Sequence, residues 1–140
     1  MTDSSRPDRG SSAADLASTP VVAVRSEAEA MTALYEMYRN KVHHLAVVAG
    51  DDAVGLVSEA DLMHGIAAEY PRITAAVSSL CRSPGPRVDA ADDIGTAAQR
   101  MVEANADAVL VMRNGHLCGV LTAVDLVRNI AEGARPERSR

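Results

Sequence analysis

The chain has 140 residues, a net charge of −5, and a hydrophobic fraction of 47% that includes three tyrosines but no phenylalanine or tryptophan. One domain's worth of chain must therefore build its core from Val, Leu, Ile, Ala and Met. An acidic chain with scattered cations lacks the basic stripe that nucleic-acid binding needs. No apolar run approaches the roughly twenty residues of a membrane span, and the opening MTDSSRPDRGSSAAD has no apolar stretch for a signal peptide. The expectation is a soluble, cytoplasmic protein with neither nucleic-acid nor membrane partners.

In chain order, residues 1–12, rich in Ser, Arg and Asp, read as a disordered tail. Pro20 opens a short strand in which Val22 and Val24 alternate with smaller or charged residues. Ser26 with Glu29 three residues on resembles a capping box, and Ala30, Ala33, Leu34 and Met37 follow at helical spacing. Leu45 to Val48 and Val54 to Val57 are apolar runs separated by Gly50-Asp51-Asp52, and a helix is predicted from Ser58 to about Glu69. The first unit thus spans 13–68, with 69–78 as a linker.

The second unit, 79–132, repeats this order 64 positions later without a gap. Pro84 falls on Pro20, Val88 on Val24, Met101 on Met37 and Ile130 on Ile66, while Asp15-Leu16-Ala17-Ser18 falls on Ser79-Leu80-Cys81-Arg82. Asp89 is read as the cap of a helix carrying Ile94, Ala97, Ala98, Met101 and Val102. Asn114-Gly115 between apolar runs predicts a tight hairpin, and a last helix is expected from Thr122 to about Glu132. Residues 133–140 read as a second disordered tail. Each unit reads strand, helix, strand, strand, helix; units of this size must pack on each other to bury a core.

The most specific repeat is Gly55-Leu56-Val57-Ser58-Glu59-Ala60-Asp61 against Gly119-Val120-Leu121-Thr122-Ala123-Val124-Asp125. A hydroxyl residue followed three positions later by an acid is a helix-capping pattern. Capping boxes favour the longer Glu or Gln, yet both copies use Asp, and both place glycine where backbone can approach a ligand. A carboxylate beside a helix N-terminus can accept two hydrogen bonds from a vicinal diol, with the hydroxyl and amides facing a phosphate. That is chemistry suited to holding a ribose.

On these residues the chain resembles a tandem pair of cystathionine-beta-synthase (CBS) domains, the arrangement called a Bateman module. The resemblance covers about Ala13 to Glu132 and implies an α+β fold of two β-α-β-β-α units packed through their sheets with pseudo-twofold symmetry. It implies two clefts for an adenosyl ligand such as AMP, ADP, ATP or S-adenosylmethionine, with no cofactor required. By position, Asp61 and Asp125 would hold ribose hydroxyls, with Ser58 and Thr122 near ribose or phosphate. The first-strand segments Val22 to Val24 and Arg87-Val88, with Leu45 and Val109 of the second strands, would wall the base, and His44 would line the first cleft. Arg128, one helical turn after Asp125, is a phosphate candidate whose counterpart in the first unit is His64. Where many members carry a proline ahead of the second strand's valine, this chain has Ala46 and Leu110. Pairing of such modules through their helices further implies a homodimer and an unidentified protein partner that reads occupancy.

Other constellations carry less. Adjacent His43 and His44 point to opposite strand faces and do not chelate one ion, so no metal is expected. Cys81 and Cys118 occupy unmatched positions and form no CxxC pair. No Walker loop, nucleophile elbow or Cys-His pairing is present, and the chain is read as a regulatory module, not an enzyme. Two alternatives remain: an interaction module whose Ser/Thr-x-x-Asp pairs only cap helices, and a redox or metal switch built on the cysteines and histidines.

Overall fold

A computed structural model describes residues 11–18 and 21–133. The predicted terminal tails, apart from residues 11, 12 and 133, and the strand-opening Pro20 lie outside the described residues.

The first sheet comprises β1 (Ala23–Arg25), β2 (His44–Ala49) and β3 (Asp52–Ser58), in the order β1-β2-β3. The second comprises β4 (Arg87–Asp89), β5 (Ala108–Arg113) and β6 (His116–Thr122), in the order β4-β5-β6. In each, the first pairing is parallel and the second antiparallel. Helices α2 (Ala30–Asn40) and α3 (Glu59–Glu69) belong to the first sheet, and α4 (Ile94–Ala104) and α5 (Ala123–Gly133) to the second. The architecture is the expected α+β pair of β-α-β-β-α units.

Both hairpins have a two-residue turn. Asn114 and Gly115 have φ of 53° and 79°, the pair of positive values that a type I′ turn demands. Only Gly50 is positive at the matched turn, with φ of 62°, and Asp52 already belongs to β3. Each hairpin also carries a register shift at the same place, after Val47 and after Val111.

Strand alternation divides the core into three. Leu45, Val47, Val57 and Val24 face α2 and α3 together with Met37 and Leu62. Val109, Val111, Leu121 and Val88 face the other helix pair with Met101. The alternate residues Ala46, Leu56, Ala108, Leu110 and Val120 form the third core, where the sheets pack on each other. Both sheet faces are covered, which explains the continuous apolar runs of β2 and β5.

Two helix starts differ from the sequence expectation. Ser26 caps nothing: its amide donates to Val48 O, its hydroxyl to Glu27, and α2 begins only after Glu29, which makes no side-chain cap bond. In the second unit the cap is Asp93, which accepts from the Thr96 amide at 2.8 Å, whereas Asp89 accepts from Ala91 in the preceding turn. Both helices start one turn later than the first polar candidate because the chain first turns off the edge of the sheet.

The units also exchange their opening segments. Helix α1 (Ala13–Leu16), sequentially in the first repeat, packs on β6 and α5, with Ala13 fully buried in the second unit's core. Ser18 then bridges to Val120 of β6. Reciprocally, a short 3₁₀ turn at Val77–Ser79 puts Val77 in the first unit's core, and Arg82 bridges to Leu56 of β3. Part of the segment read as linker, 69–78, is therefore core of the first unit.

Candidate functional site

Each copy of the repeated motif ends a strand and starts a helix. Ser58 is the N-cap of α3: its Oγ accepts from the Asp61 amide at 3.0 Å, and Asp61 Oδ2 accepts from the Ser58 amide at 3.0 Å. At α5, Thr122 and Asp125 repeat this with distances of 3.2 and 2.9 Å. Both motifs are closed capping boxes, so the shorter Asp does reach back.

The motif's glycines are explained differently from the sequence reading. A Cβ on Gly55 would lie 2.6 Å from Arg82 O and 3.1 Å from Cys81 Sγ, and one on Gly119 would lie 2.8 Å from the Ala17 Cβ. The close approach is made by the exchanged segments, not by a ligand.

Two clefts open beside these motifs at the edges of the sheet interface. The first, about 660 Å³, is lined by Ser58 and Asp61 with Leu56, Arg82, Met101, Asn105, Asp107 and Leu126. The second, about 480 Å³, is lined by Thr122, Asp125 and Arg128 with Val21, Val22, Lys41, Val42, His43 and Val120. Both volumes are in the range of small-molecule sites. In each cleft Asp Oδ2 is engaged by the cap. Asp61 Oδ1 has no protein partner among the described residues, whereas Asp125 Oδ1 accepts from Arg128 at 3.2 Å.

His44 lines both clefts, not the first alone. Its Nε2 lies 2.8 Å from Asp107 Oδ1, and its side chain is only 12% exposed. Burial opposes ionisation of Asp107, but the hydrogen bond and charge of the His44 ring outweigh it and hold the carboxyl below its ordinary range. In the first cleft, the Arg82 guanidinium donates to the carbonyls of Ala104 and Asn105 at 2.7 and 3.3 Å, tying the exchanged segment to the C-terminus of α4.

Four predicted wall residues are elsewhere. Val24, Val88, Leu45 and Val109 are buried under the helices and line neither cleft. Val22, at the other end of the predicted first-strand wall, does line the second cleft; Leu45 and Val109 point to the helix side, one residue out of phase with Ala46 and Leu110, whose cross-strand partners Leu56 and Val120 reach the clefts. Lys41, His43, Arg82, Asn105 and Asp107 went unread. Their signal was in the repeat register, which aligns Lys41 with Asn105 and His43 with Asp107 and so predicts rims of different charge.

Two α+β units joined through their sheets, with a pair of pseudo-equivalent ligand-sized clefts, define a tandem-repeat module. The chain belongs to the CBS domain family, whose pattern matches residues 13–68 and 77–132. Among solved structures, the CBS domain protein PAE2072 from Pyrobaculum aerophilum, complexed with AMP, is 26% identical. It aligns over 86% of this chain and 96% of its own, with a TM-score of 0.76. The CBS domain pair of MJ0100, in complex with 5′-methylthioadenosine and S-adenosyl-L-methionine, is 18% identical over 88% of this chain and 98% of its own, with a TM-score of 0.78. CBSX2 in complex with AMP is 23% identical over 90% of this chain and all of its own, with a TM-score of 0.73. No curated protein matches the sequence. Among the described residues no group of three or more His, Cys, Asp and Glu side chains is placed to hold a metal ion, and no helix is long and apolar enough to cross a membrane.

Proposed function

We propose that this protein is a regulatory module, without catalysis of its own, that binds an adenosyl ligand and relays its occupancy to a protein partner or through its own assembly. The observation that carries this reading is the pairing, twice, of a ligand-sized cleft with a helix N-terminus bearing a hydroxyl and a carboxylate. The adenosyl compounds bound by structural neighbours support the ligand class. The second cleft, with Lys41 and with Arg128 paired to Asp125, carries more cations for a phosphate-bearing ligand than the first, whose one arginine, Arg82, is held by backbone carbonyls; Asp107 borders both. Tyr35, Tyr38, Met63, Val102, Val127 and Ile130 leave apolar helix surface exposed on both units, which supports a homodimer formed through helices.

Calorimetry with AMP, ADP, ATP and S-adenosylmethionine tests the reading. Asp61→Asn and Asp125→Asn each keep an acceptor for the cap amide, and each is expected to weaken its own cleft at least about tenfold through loss of a charged hydrogen bond. Absence of binding at millimolar ligand, or unchanged affinity in the double variant, removes the sensing role. The closed capping boxes favour one second reading, an interaction module in which Asp61 and Asp125 serve only the helix ends. It is supported if the double variant shifts thermal stability alone.

A further inference from the structure

Among the described residues, the linings of the two clefts meet at His44 and Asp107, one from each unit, which border both. Each stands beside one copy of the motif. His44 opens β2 as the cross-strand partner of Ser58, and the carbonyl of Asp107 accepts from the amide of Ala123, the residue after Thr122, at 2.8 Å. The His44 ring spans the gap between them, with Nε2 2.8 Å from Asp107 Oδ1. One side-chain pair therefore links the two motifs and walls both clefts.

The repeat does not supply this bridge a second time. The register sets His44 on Ala108 and Asp107 on His43, so the pseudo-equivalent bridge would need a side chain that alanine lacks, and His43 turns to Glu59 of its own unit. Each cleft thus has its own hydroxyl and carboxylate, Ser58 with Asp61 and Thr122 with Asp125, while a single His44–Asp107 pair lies at their boundary. The ring is only 12% exposed and fixed in the wall, whereas the Asp107 side chain is 73% exposed. Asp107 Oδ2 has no side-chain partner among the described residues, which leaves the carboxylate an acceptor that can be drawn to either side.

Resting on the adenosyl reading, we infer that the His44–Asp107 pair is a binding element shared by the two clefts, which one nucleoside at a time can use. The ligand that arrives first donates a hydroxyl or amino hydrogen to Asp107 and draws the carboxylate to its own side. The second ligand binds through the hydroxyl and aspartate of its own motif alone. Occupancy of one cleft lowers the affinity of the other by about tenfold, the worth of one hydrogen bond to a charged group. The chain then responds over a wider span of ligand concentration than two independent clefts would.

The test is titration calorimetry on the full-length chain with AMP and, separately, with S-adenosylmethionine. Val127→Trp plugs the first cleft and Val124→Trp the second; these α5 side chains are 64% and 62% exposed, so the fold tolerates both plugs. With one cleft plugged, Asp107→Ala is expected to weaken the open cleft about tenfold, whichever cleft that is. With both open, it weakens the first binding event to the same extent and leaves the second unchanged. His44→Ala, which copies Ala108, leaves the carboxylate unheld and has the same effect. Equal weakening of both events gives each cleft its own use of Asp107 and overturns the inference. So does weakening in only one plugged chain or in neither, or binding in only one of them, and the adenosyl reading survives each of these results. If neither compound binds the unplugged chain, both readings fall together.

Discussion

The two clefts share a frame and differ at the rim. Glycine, hydroxyl and aspartate are repeated at matched positions, yet Asn105 lines the first where Lys41 lines the second, and Arg128 enters the second alone. The frame holds the fold: glycine admits the exchanged segment, while hydroxyl and acid close the helix. The rim, free of those duties, is where the copies diverged in charge and reach. Duplication of a motif therefore does not imply duplication of a binding preference.

The frame can be broken where the halves are unequally tight. Gly55→Val drives a side chain into the Arg82 backbone carbonyl, whereas Gly119→Val meets the Ala17 methyl group and the Ser18 carbonyl. A urea melt should show both variants destabilised, Gly55→Val by about 3 kcal/mol or more and Gly119→Val by less, because the approach at Gly55 is the closer, 2.6 Å against 2.8 Å. Equal losses would mean that the two exchanges are equivalent. Next in size are the rim cations. Removing Lys41 or Arg128 is expected to reduce ATP affinity by about tenfold each, with adenosine affinity little changed; equal loss for both ligands would put those side chains on the nucleoside.

Smaller effects separate caps from ligands. Ser58→Ala and Thr122→Ala should each cost about 1 kcal/mol in a thermal melt of ligand-free protein. A cost at one helix alone would show the capping boxes to be unequal. The smallest effect concerns the wall shared by the clefts. Because the folded-state pKa of Asp107 is lowered, its pairing with His44 adds stability above the ordinary carboxylate range near pH 4 and loses it as pH falls through the lowered value. Asp107 is largely exposed, so the contribution is below ~1 kcal/mol. Melts of wild type and His44→Ala compared from pH 6 to pH 3 should converge at the acid end.

Much of this was legible in the chain. Asn114-Gly115 announced its turn, the change of apolar period placed the helices, and the motif located both helix N-termini and both clefts. What escaped was non-local. Ser26 and Asp89 look like caps to any local rule, but their amides are drawn toward the sheet edge or a neighbouring turn. The walls were misplaced by one residue because β2 and β5 are buried on both faces, which erases the alternation that would have told one side from the other. Nothing in residues 13–18 says that they pack against residues from a hundred positions downstream.

That crossing of opening segments ties the halves together as two hands clasped rather than two palms pressed. During synthesis, α1 emerges well before its seat on β6 and α5, so it has no place to pack until the second sheet is made. The first half, likewise, completes its core only when Val77 arrives from beyond its own last helix. Neither half is a separable domain, and cutting between Tyr70 and Ala76 would leave each fragment with a gap that only the other fills.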